Sequence, residues 1–233
     1  MSDNKRVIVA LDCSSGADAI ALAQSLDPAL CRVKVGNEVF TSAGPSVVEA
    51  LHKLEFEVFL DLKFHDIPNT VAGACRAAKN LGVWMLNVHI SGGEQMMAGA
   101  RDAVGAAGSG VPLLIGVTVL TSLSAPDLVA MGVERSVEEQ VVALAQAAQR
   151  SGLDGVVCSA REAAVLAVET PGQLSVTPGI RLAEDSSDDQ ARITTPEQAI
   201  KNGAGYLVIG RSITAAQNPL QRLQQIDAAL KSL

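Results

Sequence analysis

The sequence is poor in aromatic residues, in positive charge and in long apolar runs. Phe, Trp and Tyr together make up 3% of the 233 residues, with one Trp and one Tyr. So few aromatic side chains offer little surface on which nucleic-acid bases could stack. The formal net charge is −7, whereas a protein that binds a polyanion needs a basic patch. We therefore expect no nucleic-acid partner, and any small anionic ligand must be held by a few focused cations.

Cysteines are few and widely spaced. Cys13, Cys31, Cys75 and Cys158 form no C-x-x-C pair and lack the spacing of metal ligands, a distribution typical of a reducing compartment. No apolar run is long enough to span a membrane, and the start of the chain lacks the apolar length of a signal peptide. We therefore expect a cytoplasmic protein that does not contact a membrane.

The chain alternates regularly between short β-rich runs and helical segments. Hydrophobic residues make up 48% and charged residues 18%, which is typical of a globular protein. Helical segments such as Ser136–Ser151 have apolar residues on one side, and Gly82, Gly152 and Gly203 are placed to end helices. The predicted strands are Val7–Leu11, Arg32–Gly36, Val58–Phe64, Trp84–His89, Leu113–Val119, Gly155–Cys158, Leu174–Thr177 and Tyr206–Gly210.

Eight strands that alternate with helices predict a closed (β/α)8 barrel, the TIM barrel, with an open doubly wound sheet as the alternative. The glycine motif of dinucleotide-binding folds is absent after the first strand, where the sequence reads Asp12-Cys13-Ser14-Ser15-Gly16. The barrel is therefore favoured, as a single domain over residues 1–233. Its active site is expected at the carboxyl ends of the strands.

The run DLKFHDIPNT, Asp61–Thr70, lies at the end of the third predicted strand. Successive side chains on a strand face opposite ways, so Asp61 and Lys63 share one face. Asp66 follows in a loop, from which a second carboxylate can return to the same lysine, and the next helix is predicted to begin near Pro68. For an isolated D-x-K pattern, a salt-bridged strand end is the simpler interpretation. The ends of the other strands favour a functional one.

Polar or charged residues follow most of the other predicted strands. In barrels a phosphate often lies between the loops after strands seven and eight. There, Gly179 and Gly210 let the backbone approach an anion, while Arg181 and Arg211 supply forked donors that match phosphate oxygens. A phosphorylated small molecule is therefore the predicted ligand. The strand-end residues are Asp12, Lys34, Thr121, Ser122, Thr177–Arg181 and Gly210–Ser212.

The polar segment between Arg181 and Thr195 is either a lid beside the phosphate site or a solvated loop. Thr195-Pro196-Glu197 predicts the cap and first turn of the helix that follows it. His65 and His89 are left outside the predicted site, because no second ligand lies at a useful spacing from either. No metal site is predicted.

With these residues in view, the sequence resembles the orotidine 5′-phosphate decarboxylase family from end to end. The ten-residue run DLKFHDIPNT is the most specific part, whereas a bare D-x-K-x-x-D also occurs in related barrel decarboxylases that act on sugar acid phosphates. Ile90 stands where this family leads us to expect a smaller residue. The matching segments are Val9–Asp12, Val33–Gly36, Asp61–Thr70, Thr118–Ser122, Thr177–Arg181 and Ile209–Arg211.

The resemblance implies a decarboxylation of orotidine 5′-monophosphate to uridine 5′-monophosphate that needs no cofactor and no metal. It implies that Lys63 gives a proton to C6 of the pyrimidine, that Asp61 and Asp66 flank it, and that Lys34 completes an alternating array of charges. It also implies an obligate homodimer, in which Asp66, Ile67 and Thr70 reach the active site of the neighbouring subunit. The implied substrate-binding residues are Asp12 and Lys34 at the ribose, Thr121 and Ser122 at the pyrimidine, and Arg181, Gln190, Gly210 and Arg211 at the phosphate and lid. Pro178 is a further implied substrate-binding residue.

Three other functions remain as alternatives. A sugar-phosphate decarboxylase or epimerase on the same barrel would favour a Mg²⁺ site, and Asn69, Thr70 and Gln190 favour the nucleotide instead. An aldolase with Lys63 as its Schiff base needs a neutral amine, which flanking carboxylates oppose. A catalytically inactive nucleotide binder would not need the intact charges of the DLKFHD run.

Overall fold

Eight parallel strands close into a barrel in the computed structural model, which describes residues 5–182 and 194–233. Each strand pairs with its sequence neighbours, and the last strand closes the barrel by pairing Leu207 with Val7. The predicted barrel is confirmed, each strand ends within two residues of its predicted bounds, and the open sheet is excluded. The strands are β1 (Val7–Ala10), β2 (Cys31–Gly36), β3 (Val58–Phe64), β4 (Met85–His89), β5 (Leu113–Val117), β6 (Gly155–Val157), β7 (Leu174–Thr177) and β8 (Tyr206–Ile209).

Helices surround the barrel, and local sequence signals determine where they begin and end. Thr195 caps its helix as predicted, by accepting a hydrogen bond from the backbone N–H of Gln198 at 3.3 Å. Gly82, Gly152 and Gly203 follow their helices with φ of 77°, 72° and 95°, values that favour glycine. The helices are α1 (Gly16–Gln24), α2 (Asn37–Ala43), α3 (Ser46–Lys53), α4 (Pro68–Asn80), α5 (Glu94–Val104), α6 (Ala125–Ala130), α7 (Val137–Arg150), α8 (Ala160–Glu169), α9 (Pro196–Lys201), α10 (Arg211–Thr214) and α11 (Pro219–Lys231).

Across residues 5–182 and 194–233, no helix combines the length and the apolar character needed to cross a bilayer.

The core has two apolar layers, one inside the barrel and one between the strands and the helices. Near the amino end of the barrel Arg32 is buried, and its guanidinium carbon lies 4.0 Å from the centre of the Trp84 ring. Arg32 also pairs with Glu57 at 3.2 Å, which compensates its burial. The inner layer consists of Ile8, Ala10, Phe59, Met85, Ile115, Val176 and Val208.

Ile90, in a short 3-10 turn after β4, is accommodated by a glycine on the neighbouring strand. Its side chain is buried and lies over Gly116 of β5. A Cβ atom added to Gly116 would lie 2.5 Å from Cγ1 of Ile90 and 3.0 Å from Cδ2 of Leu153. The missing side chain at position 116 thus leaves the space that a larger residue at position 90 occupies.

We expect Gly116→Ala to lower the free energy of unfolding by about 1–3 kcal/mol, because the added methyl group overpacks the site. Ile90→Ala should cost about 2–5 kcal/mol through the cavity that it leaves. The double variant should be more stable than the sum of the two losses implies, because the methyl group added at position 116 can occupy the cavity left at position 90. Denaturant unfolding of all four proteins measures this coupling, and simple additivity would contradict the packing argument.

Candidate active site

The carboxyl ends of the strands surround a cleft of roughly 330 Å³. This volume suits a small organic ligand. One side of the cleft is apolar, because β-branched residues of β5 to β8 face inward there. The polar residues of its wall come from β2 and β3 and from the segments after β1, β5, β7 and β8. The lining residues used below are Asp12, Lys34, Asp61, Lys63, Thr121, Pro178, Arg181, Gly210 and Arg211, with Phe59, Val117, Val157, Val176 and Val208 on the apolar side.

Four charged side chains form an alternating array along one wall of the cleft. The ammonium of Lys34 lies 3.0 Å from Oδ1 of Asp12 and 3.3 Å from Oδ2 of Asp61. The ammonium of Lys63 lies 2.7 Å from Oδ1 of Asp61. Asp61 therefore lies between two cations, and Lys34 lies between two anions. Such an arrangement fixes each charged group by its neighbours.

Ion pairing keeps the centre of this array charged despite its burial. Burial alone would lower the pKa of Lys34, but the carboxylates of Asp61 and Asp12 outweigh it and raise that pKa. Burial alone would raise the pKa of Asp61, but Lys34 and Lys63, with hydrogen bonds from Lys63 and Asn87, lower it. Both groups thus remain ionised throughout the neutral pH range.

Lys63 is held in an unusual backbone conformation. Its φ is 51°, in the left-handed region that residues with a Cβ rarely adopt. The pairing of β3 with β4 is irregular at this point, between Leu60 and Phe64. The side chain of Lys63 nevertheless shares the cleft with Asp61, as the strand pattern predicts, while Leu62 and Phe64 pack against the outer core.

Arg181 and Arg211 line the same cleft from the loops after β7 and β8. The guanidinium of Arg181 donates to the carbonyl of Ile180 at 3.1 Å, and its backbone N–H donates to the carbonyl of Thr194 at 3.1 Å. Gly179 has φ of 78°, a value that favours glycine in this turn. Gln190, together with residues 183–193 of the predicted lid, lies outside the described residues.

Of the predicted site residues that the structure describes, four do not line the cleft of their own chain: Asp66, Ile67, Thr70 and Ser122. All four are exposed. Asp66 accepts a hydrogen bond from the backbone N–H of Ile67 at 2.6 Å. Within the described residues, Asp61 is the only carboxylate that pairs with Lys63, so Asp66 does not return to the lysine of its own chain. The loop instead turns outward, and the side chain of Ile67 is 68% exposed.

Asn87, on β4, contacts the array and was not among the predicted site residues. Its amide nitrogen donates to Oδ1 of Asp61 at 2.7 Å, and its amide oxygen accepts from the backbone N–H of Lys63 at 2.8 Å. A single polar residue within the apolar run Met85–Val88 was the sequence signal that could have identified it.

The two histidines near the cleft contact each other, with ring centres 5.3 Å apart for His65 and His89. Burial, then the nearby His65 and Lys63, lower the pKa of His89, which favours its neutral form. Among the residues that the structure describes, no three His, Cys, Asp or Glu side chains converge as metal ligands would.

Comparison with known proteins gives the same family over nearly the whole chain. Residues 5–226 match the model of the "Orotidine 5'-phosphate decarboxylase / HUMPS family". Orotidine 5'-phosphate decarboxylase of Aliivibrio fischeri (strain MJ11) is 54% identical and covers 100% of both chains. That of Pseudomonas aeruginosa (strain LESB58) is 55% identical over 96% of this chain and 97% of its own.

Solved structures agree with this relationship. The crystal structure of orotidine 5'-phosphate decarboxylase from Lactobacillus acidophilus superimposes with a TM-score of 0.86 at 38% identity, covering 97% of this chain and 99% of its own. Sequence and fold therefore agree. The chain belongs to the orotidine 5'-phosphate decarboxylase / HUMPS family.

Proposed function

We propose that this protein decarboxylates orotidine 5′-monophosphate to uridine 5′-monophosphate and CO₂, a step of pyrimidine nucleotide synthesis. The observation that carries the proposal is the array Asp12–Lys34–Asp61–Lys63 at one wall of an apolar cleft. Arg181 and Arg211 line the same cleft, and they suit a phosphate. The reaction uses no cofactor and no metal, and the protein acts in the cytoplasm.

Lys63 is the group that meets the chemical demand of this reaction. When the bond between C6 and the carboxylate breaks, CO₂ leaves and the electron pair stays on C6. An ammonium that is already in place stabilises this charge without reorganisation. Lys63 then transfers a proton to C6, which gives uridine 5′-monophosphate and a neutral amine that regains its proton from water. Asp61, 2.7 Å away, holds the ammonium in position before the reaction.

The remaining residues of the cleft bind the substrate away from the reacting carbon. Asp12 and Lys34 are assigned to the ribose hydroxyls, and Thr121 and Ser122 to the polar edge of the pyrimidine. Binding energy from the phosphate can lower the barrier at the distant carboxylate. The residues assigned to the phosphate and lid are Arg181, Gln190, Gly210 and Arg211, and Pro178 is assigned to substrate binding.

The active form is proposed to be a homodimer in which each subunit completes the cleft of its partner. Asp66, Ile67 and Thr70 lie outside the cleft of their own chain. Asp66 and Ile67 belong to the loop that directly follows the catalytic strand, and Thr70 lies in the first turn of α4. Ile67 exposes 68% of its surface, and an apolar side chain so placed is suited to an interface. In the proposed dimer, Asp66 approaches the Lys63 ammonium of the partner.

The direct test is turnover of orotidine 5′-monophosphate by the purified protein in the presence of EDTA. We expect rapid conversion to uridine 5′-monophosphate, and far slower conversion of orotidine, which lacks the phosphate that Arg181 and Arg211 bind. Loss of activity in EDTA that added Mg²⁺ restores would favour the sugar-phosphate type of enzyme. Inactivation by borohydride with a carbonyl substrate would favour the aldolase. Binding of uridine 5′-monophosphate without any turnover would favour a catalytically inactive nucleotide-binding protein.

A further inference from the structure

Asn87 connects the two catalytic residues of β3 to the neighbouring strand. It lies within β4, whose other residues except the terminal His89 are buried and apolar, and its own side chain is fully buried. A buried amide must find partners for both its oxygen and its nitrogen. Here both partners belong to the catalytic strand, because Nδ2 donates to Oδ1 of Asp61 and Oδ1 accepts from the backbone N–H of Lys63.

The register of the two strands explains why a side chain is needed at this point. β3 and β4 pair regularly as far as Leu60, and pairing resumes at Phe64. Over that interval β4 advances by Asn87 alone, so three residues of β3 lie opposite one residue of β4. Such a bulge leaves backbone groups without a partner in the ladder. The amide oxygen of Asn87 supplies the missing acceptor for the N–H of Lys63.

The same interval contains the left-handed residue of the active site. In residues 5–182 and 194–233, Glu55 and Lys63 are the only non-glycine residues with positive φ. A residue in this conformation persists only where the surrounding structure holds it. The backbone N–H of Lys63 donates a hydrogen bond of 2.8 Å to Asn87, and this bond stabilises the backbone conformation from which the catalytic side chain extends.

We propose that Asn87 is a positioning residue, which keeps the Lys63 ammonium and the Asp61 carboxylate in the geometry that decarboxylation requires. This role rests on the proposed function. Oδ1 of Asp61 accepts at once from Asn87, at 2.7 Å, and from Nζ of Lys63, at 2.7 Å. One amide thus fixes both the origin of the lysine side chain and the oxygen to which its ammonium binds. Fixed charges of this kind provide electrostatic catalysis, and a misplacement of about 1 Å can cost about 10²-fold in rate.

The first test is Asn87→Leu, which preserves the approximate size of the side chain and removes both hydrogen bonds. We expect kcat for orotidine 5′-monophosphate to fall about 10²-fold, while the Kd of uridine 5′-monophosphate changes less than about threefold. Binding is retained because the proposed phosphate and ribose contacts lie elsewhere in the cleft. Asn202→Ala is the matched control. The side-chain amide of Asn202 donates a hydrogen bond of 2.9 Å to the carbonyl of Ala160, and neither residue lines the cleft. This variant should lower Tm and leave kcat unchanged.

The second test, Asn87→Asp, has a readout that a structural role would not produce. The charged and titratable groups near the introduced carboxyl are Asp61, Lys63, Lys34 and His89. Two carboxyls at hydrogen-bond distance share a proton, so the pKa of one is raised. The two lysines hold Asp61 ionised, which leaves the proton on the introduced group, where it can donate as the amide did. We expect kcat of this variant to rise as pH falls through that raised pKa, while wild-type kcat does not rise over the same interval.

Each outcome supports or overturns the inference. A folded Asn87→Leu protein with kcat within about threefold of wild type would overturn it, as would a fall in kcat matched by an equal loss of nucleotide affinity. If Asn87→Leu does not fold, Asn87→Asp decides alone, and a kcat that does not rise at low pH overturns the role. Wild-type protein assayed in parallel distinguishes failure of the role of Asn87 from failure of the proposed function. If the wild-type protein does not turn over the substrate, the proposed function itself is overturned.

Discussion

Replacing Lys63 with alanine is expected to lower kcat by about 10⁴-fold or more. The variant loses a general acid, which contributes about 10²–10⁴-fold, and a preplaced charge, which contributes about 10²–10³-fold. Affinity for uridine 5′-monophosphate should change much less, because the proposed phosphate and ribose contacts remain. Steady-state turnover and a nucleotide titration measure the two quantities separately. The loss should therefore appear in kcat and not in binding.

Two controls make this result specific to the ammonium. Lys53→Ala removes an exposed lysine at the end of α3, on the far side of the barrel from the cleft, and should leave kcat unchanged. Wild-type turnover in D₂O should place one deuterium at C6 of the product, because the ammonium protons exchange with solvent. A Lys63→Ala protein that retains wild-type kcat would refute the assignment of Lys63. So would a wild-type product that carries no deuterium.

Much of this architecture is readable from local patterns. The eight strands were predictable because each is a short β-rich run, and polar residues follow most of them; parallel strands gather such ends at one face. This is why Arg181 and Arg211, thirty positions apart in the sequence, were expected beside one ligand and indeed line one cleft. Asp61 and Lys63 were expected on one face from the two-residue period of a strand.

Other features depend on which residues meet across the fold, and a single strand does not reveal them. Asn87 contacts Asp61 and Lys63 because β3 bulges opposite it, and no pattern within either strand specifies that register. The direction of the loop after β3 was likewise not predictable from local sequence. Sequence proximity suggested that Asp66 returns to the lysine of its own chain, whereas the loop turns outward. Ile90 fits because Gly116 on another strand has no side chain.

The outward loop leads to the second large effect, an activity that appears only when two inactive proteins are mixed. Lys63→Ala and Asp66→Ala homodimers should each be nearly inactive, because every cleft lacks one of the two groups. In a heterodimer, one cleft combines an intact Lys63 with the partner's intact Asp66, and the other lacks both. Random reassortment of equal amounts makes half of the dimers mixed, so about a quarter of wild-type activity should return.

The matched control is a mixture of Lys63→Ala with Asp61→Ala. These two residues lie 2.7 Å apart in one chain, so each cleft of the heterodimer still lacks one of them, and no activity should return. Recovery in the first mixture alone would mean that the carboxylate of Asp66 acts across a subunit interface. Recovery in neither mixture would show that Asp66 serves the cleft of its own chain, which would require the loop from His65 to Ile67 to turn inward when substrate binds. Because the two mixtures share the Lys63→Ala protein, only the location of the second residue can account for a difference between them.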